Sequence, residues 1–286
     1  MKIGIIGLGL IGGSIGRAII KRTEHTVYGK DINESVMLKA ALLGAYHNKL
    51  EENDIGELDV VIIALTPSTF IDEMQNIVGK LKKGAIIIDI AGNKKKIVDA
   101  MRDLSTEYPD INFISTHPMA GREFSGIEHS SVSMFDRASL LFIPVKADIE
   151  AMVRLKKLIL DIGFQTVVNT TAEEHDRIIA YTSQLAHIVS SSFVKSPTAK
   201  EHDGFSAGSF RDLTRVAKLN AAMWTELFID NKDNLVNEID IIIRMLQKYR
   251  DAIDSGDREE LFELLQEGNE RKEIIEKATR EWRKNL

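Results

Sequence analysis

Lys2-Ile3-Gly4-Ile5-Ile6 running straight into Gly7-Leu8-Gly9-Leu10-Ile11-Gly12-Gly13-Ser14 is the stretch that decides the fold. Residues 2–6 are short, rich in isoleucine and apolar on both faces, as a buried parallel strand requires. In the turn that follows, Gly7 permits the tight reversal and Gly9 lets the backbone approach a pyrophosphate. Gly12 lets the helix that opens near Gly13 pack closely on the strand. A phosphate held between Leu8, Leu10 and Ile11 would meet the positive end of that helix. Asp31 stands 19 residues after Gly12, at the end of the second strand-like run. A carboxylate there accepts hydrogen bonds from the adenosine ribose and repels a 2′-phosphate, so NAD is expected over NADP. Lys30 beside it pulls the other way. A structural turn followed by a solvated acid has the same spacing, but strand, loop, helix and acid in this order favour the dinucleotide reading.

Outward from this loop, runs 25–28, 60–64, 85–90, 112–115 and 140–144 repeat the short apolar pattern, with helical stretches between them. This is a doubly wound, Rossmann-like α/β pattern, expected over residues 1–149 with parallel strands. From residue 150 the period changes. Stretches 150–162, 172–194, 212–250 and 257–284 read as long helices, interrupted by one strand-like run at 165–169. Of 19 glycines, 14 precede residue 150, and no proline follows Pro197, so the two halves are built differently. An all-α second domain over 150–286 is expected. Asp257, with Glu260 three residues on, suits the N-cap of the last helix. The apolar stripes of these helices fit either a packed bundle or a homodimer interface.

The 286 residues are 44% hydrophobic and 28% charged, enough apolar material for a real core and too much for a disordered chain. A net charge of −6 argues against nucleic acid or an anionic membrane surface as partner. The absence of cysteine excludes disulfides, thiolate metal sites and thiol nucleophiles. The apolar residues after Lys2 carry too many glycines for a signal helix, and no run is long enough to span a bilayer. A cytoplasmic protein is expected.

Seven histidines lie at positions 25, 47, 117, 129, 175, 187 and 202, none in an HxH or HxxxH pair, so no metal site is expected. His117 follows a strand-like run and begins His117-Pro118-Met119-Ala120-Gly121. In an open α/β sheet the residues just past the strand ends face the cofactor crevice. A strand-end histidine that merely packs is the competing reading.

These residues resemble the prephenate/arogenate dehydrogenases of tyrosine biosynthesis, the TyrA family, over nearly the whole chain. The resemblance rests on the glycine loop, Thr66-Pro67, the block from His117 to Gly121 continuing to Glu123, and His175-Asp176. It continues through Ser183-Gln184-Leu185-Ala186-His187, Phe210-Arg211-Asp212-Leu213-Thr214-Arg215, Trp224 and Asn231. It implies NAD-dependent oxidative decarboxylation of prephenate to 4-hydroxyphenylpyruvate, or of arogenate to tyrosine, in a homodimer joined through the helical domain. It further implies that His117 takes the ring-hydroxyl proton, that Thr66 hydrogen-bonds that histidine, and that Arg215 grips the ring carboxylate. His187 and Gln184 are expected in the substrate pocket. Gln184 stands where the family carries a histidine, Ala186 where it carries proline, and Ser209 where many members carry glycine.

Two other functions compete. A β-hydroxyacid dehydrogenase would need a lysine on the first long helix after the sheet, and none lies between Leu158 and Lys195. A non-catalytic NAD-binding sensor would leave His117 and Arg215 idle.

Overall fold

The structure, a computed structural model, describes residues 1–121 and 124–284, so Glu123 lies outside the described residues. The chain runs β1 (Lys2–Ile6), α1 (Leu10–Arg22), β2 (Thr26–Lys30), α2 (Glu34–Leu42), β3 (Asn48–Lys49) and β4 (Val60–Ile63). It continues through α3 (Pro67–Val78), β5 (Ile86–Asp89), α4 (Lys95–Glu107), β6 (Asn112–Pro118), β7 (Ser139–Lys146), α5 (Ile149–Asp161) and β8 (Thr166–Asn169). All eight strands form one sheet in the order β3-β2-β1-β4-β5-β6-β7-β8. The first six reproduce the doubly wound order, with its chain reversal between β1 and β4.

Period-two burial explains why so short an apolar run makes a strand. Val60 and Ile62 pack with Ile15, Ala18 and Ile19 of α1 and Leu155, Leu158 and Ile159 of α5 on one face. Val61 and Ile63 pack with Phe70, Met74 and Ile77 of α3 and Ile97 and Met101 of α4 on the other. Each fully buried isoleucine here contributes roughly 1.5–3 kcal/mol of hydrophobic burial.

Three expectations are corrected. The run at 140–144 is antiparallel to β6, not parallel. Among the described residues its connection carries a single helical turn, Ile127–His129, in place of a crossover helix. The sheet also continues past 149, because α5 packs into the same core and β8 pairs with β7. The change of period at 150 marks an outer helix of the sheet layer, and the helical half starts with α6 (Ala172–Ile179). Finally, 212–250 is not one helix but parts of three: α8 (Gly208–Thr214), α9 (Ala221–Asp230) and α10 (Lys232–Ser255). Asn220 accepts a hydrogen bond from Met223 N and starts α9 afresh, a cap hidden by the continuing apolar period.

The long helix expected at 172–194 is present but passes through a π-helical stretch, Ala180–Leu185, before α7 (Ala186–Phe193). Such stretches concentrate at functional sites. The last helix, α11 (Arg258–Lys284), is capped by Asp257, whose carboxylate accepts from Glu259 N and Glu260 N. Among the described residues, α9 and α11 bury no side chain fully and α10 buries only Leu235 and Ala252. No helix among them is long and apolar enough to cross a membrane.

Candidate active site

The glycine loop has the form that a dinucleotide needs. Gly7 adopts φ +92°, and a Cβ there would lie 2.4 Å from the Ala64 carbonyl oxygen. A Cβ on Gly12 would lie 2.0 Å from the Gly7 carbonyl oxygen, so both glycines are demanded by the fold. Gly9 differs, since a Cβ on it would meet nothing within 4 Å. It is the N-cap of α1, whose first turn has no side-chain cap and no acid. Backbone N–H groups there, from Leu10 and Ile11 onward, remain available to an anion. The Asp31 carboxylate accepts from Leu8 N at 2.8 Å and from Asn33 N at 2.9 Å, which ties the acid to the loop. Lys30 is drawn aside by an ion pair with Glu73 at 2.6 Å. These features fit NAD.

His117 sits at the C-terminal end of β6, three strands from β1, or about 14 Å across the sheet at ~4.8 Å per strand. That offset suits the far, nicotinamide end of a dinucleotide anchored at β1. The His117 ring is half-buried, and its Nδ1 lies 2.8 Å from His175 Nε2. His175 Nδ1 in turn lies 2.7 Å from Asp176 Oδ1. Asp176 also accepts from Lys94 N at 2.8 Å and Lys95 N at 3.0 Å, so an acid of the helical half caps α4. The start of α4 carries Lys94, Lys95 and Lys96 and has no side-chain cap of its own, an unfavourable arrangement at a helix N-terminus. Asp176 supplies the missing anion.

Beneath this chain, Lys94 is fully buried against Asp89, and its Nζ also donates to Thr116 O at 2.6 Å. Thr116 N donates to Asp89 Oδ1 at 3.2 Å, tying the residue before His117 to the same acid. Burial, with the Lys94 ammonium and His175 nearby, holds His117 well below the ordinary 6.5. Burial also lowers His175, although its hydrogen bond to Asp176 opposes the shift. Both rings are therefore neutral at pH 7.

The remaining expected residues divide. Thr66 is exposed, with its hydroxyl 3.1 Å from that of Thr69, and makes no hydrogen bond to His117. The reason is topological: Thr66 follows β4 and His117 ends β6, with β5 between them. Gln184 is buried rather than open to the cleft. Its amide donates to Asn93 Oδ1 at 2.9 Å and accepts from Asn231 at 2.8 Å, which makes it a knot joining the two halves. His187 is half-buried, packs against Trp224 at 4.1 Å, and has Nδ1 3.0 Å from Val216 O. That contact holds Val216, next to the exposed Arg215 at the C-cap of α8, against α7. Twelve residues separate His175 from His187, about 18 Å along the axis at ~1.5 Å per residue. Sequence reasoning gave no role to Asp89 and Lys94. Their only signal was an acid ending a run of isoleucines, with a lysine five residues on.

A doubly wound sheet with a phosphate-binding glycine turn, an acid for the ribose and a neutral imidazole at a neighbouring strand end defines a two-part nucleotide-dependent oxidoreductase. The family model described as prephenate dehydrogenase, nucleotide-binding domain, matches residues 15–168. That described as prephenate dehydrogenase, dimerization domain, matches 171–267. The chain belongs to the prephenate dehydrogenase family. It is 32% identical over 269 residues to the prephenate dehydrogenase of Bacillus subtilis, covering 90% of this chain and 71% of that one. It is 30% identical over 286 residues to that of Lactococcus lactis, covering 96% and 77%. Among solved structures, prephenate dehydrogenase from A. aeolicus in complex with hydroxyphenyl propionate and NAD+ superposes with a TM-score of 0.83 at 27% identity, covering 96% of this chain and 98% of that one.

Proposed function

We propose that this chain catalyses the NAD-dependent oxidative decarboxylation of prephenate to 4-hydroxyphenylpyruvate, with His117 as the group that takes the proton of the ring hydroxyl. The observation that carries this reading is the neutral His117 ring at the end of β6, its Nδ1 held by His175 and its Nε2 left over. The bound nicotinamide supplies the hydride acceptor. As the hydroxyl-bearing carbon gives up hydride, its O–H proton moves to His117 and a carbonyl forms. The ring carboxylate then leaves as CO₂, its electron pair aromatises the ring, and the resulting phenolate takes the proton back.

Arg215 holds the ring carboxylate, on the family resemblance, through two parallel hydrogen bonds. His187 orients the Arg215 segment through the Val216 carbonyl. Prephenate is favoured over arogenate by the names of the relatives from B. subtilis and L. lactis. The working form is a homodimer through the helical half. Ile243, Leu246, Ile253, Phe262 and Ile274 are each more than half exposed in the single chain, and the family model over 171–267 is a dimerization domain.

The test is NADH absorbance and CO₂ release on mixing the purified protein with prephenate or arogenate, each with NAD and with NADP. Turnover with prephenate and NAD is expected. Absence of turnover with either substrate overturns the assignment.

A further inference from the structure

The two rings and the carboxylate that cross the seam between the halves constrain one another's protons. Asp176 already accepts two backbone N–H bonds, from Lys94 and Lys95, and toward His175 it is an acceptor as well. His175 therefore carries its proton on Nδ1. A neutral His175 then presents a bare Nε2, and the atom 2.8 Å from it, His117 Nδ1, has to be the donor. The lone pair of His117 is left on Nε2. The same conclusion does not follow from His117 alone, since either tautomer of an isolated imidazole is available to it.

We propose that His175 and Asp176 are positioning residues that fix His117 as the Nδ1–H tautomer and receive the positive charge it takes up during turnover. The inference rests on the reading of His117 as proton acceptor. The balance is closed. The substrate O–H bond breaks as an N–H bond forms at His117 Nε2, the Nδ1–H proton of His117 passes to His175 Nε2, and both transfers reverse when the phenolate reclaims its proton. No proton is exchanged with solvent and no further reactant is needed.

Charge considerations give the direction of the shift. A cation left on His117 faces the buried Lys94 ammonium, which pairs with Asp89 beneath it. Moved one ring outward, it still feels Lys94 but gains the Asp176 carboxylate, 2.7 Å from His175 Nδ1. His117 belongs to the sheet, whereas His175 and Asp176 belong to the first helix of the second half, so only the assembled molecule has a base with this proton pattern.

Nitrogen-15 NMR of the histidine-labelled full chain, compared with kinetics of two variants, tests this. At neutral pH the parent is expected to show His117 and His175 both as neutral Nδ1–H tautomers. His175→Gln keeps an acceptor for the His117 N–H but cannot carry the charge. It should leave the His117 tautomer unchanged and lower kcat by about tenfold or more, with KM for prephenate and NAD within about threefold. Asp176→Asn should turn His175 over to the Nε2–H form, displace His117 from Nδ1–H, and lower kcat on the order of 10²–10⁴-fold. Because Asp176 also caps α4, His175→Gln is the arm that does not depend on that cap. An Nε2–H tautomer of His117 in the parent, or kcat in His175→Gln within about threefold of the parent, overturns the proposal. Failure of the underlying reading looks different: His117→Asn would turn over like the parent, while the tautomer spectrum would be unaffected by that result.

Discussion

Gly9→Ala and Gly12→Ala, three residues apart in one loop, are expected to fail in opposite ways. Gly9 has φ −71° and ψ −155°, an extended conformation open to alanine, and its added Cβ meets no protein atom within 4 Å. The folded chain has no use for a glycine at 9, so stability should change by no more than about 0.5 kcal/mol. The new methyl instead occupies the approach of the pyrophosphate. Losing even one charge-assisted hydrogen bond, worth about 1.5–3 kcal/mol, weakens NAD binding roughly 10- to 100-fold. Gly12→Ala places its Cβ 2.0 Å from Gly7 O and 2.9 Å from Ala64 Cβ, and neither neighbour is a flexible side-chain end. Overpacking of that kind costs about 1–3 kcal/mol. At about 2–4 °C per kcal/mol for a chain of this size, Tm should fall by about 2–12 °C without any ligand. Calorimetric titration with NAD and thermal melting of the ligand-free variants read the two effects separately. A Gly9→Ala variant that binds NAD like the parent, or melts far below it, would refute the reasoning that Gly9 is shaped by the cofactor alone.

Further outcomes follow from the site and from the helical half. Arg215→Ala should raise KM for prephenate by about 10-fold or more with a smaller effect on kcat, measured in the same NADH assay. Because His117 is held below 6.5, kcat/KM should stay flat through neutral pH and fall only well below that value. In stability terms the unfolded chain takes up the proton first as pH falls, so the fold loses stability from about 6.5 downward, which acid titration of Tm would show. Lys94→Met strands the buried Asp89 carboxylate and should cost about 3–5 kcal/mol, seen in denaturant unfolding; Lys94→Met combined with Asp89→Leu should recover much of that loss. Light scattering at micromolar concentration should give twice the 32.0 kDa chain mass.

The sheet half was legible because its signals are local. Seven of the eight strands are short apolar runs between turns, and the glycine loop and Asp31 are fixed by spacing alone. What escaped was set by neighbours distant in sequence. β3, two residues long, has no apolar pattern of its own and exists only because β2 pairs with it. The direction of β7 depends on the absence of a crossover helix, which composition does not reveal. In the site, His117 was readable as a strand-end histidine, but its partner lies 58 residues on, across the seam. The resemblance pointed to Thr66 for that role, and the interposed β5 keeps the two apart. Gln184 carried a motif position yet spends its amide on Asn93 and Asn231, contacts that no spacing predicts.

The acid of the helical half that terminates α4 also sets how the enzyme can move. Asp176 and Gln184 bond across the seam to Lys94, Lys95 and Asn93, and Asn231 ties the two together from within the helical half. Separating the halves there would uncap α4 and break the His117–His175 contact together. Opening at this point therefore costs the capping bonds to Lys94 and Lys95 and the Gln184–Asn93 bond together, so the seam is held by more than apolar contact.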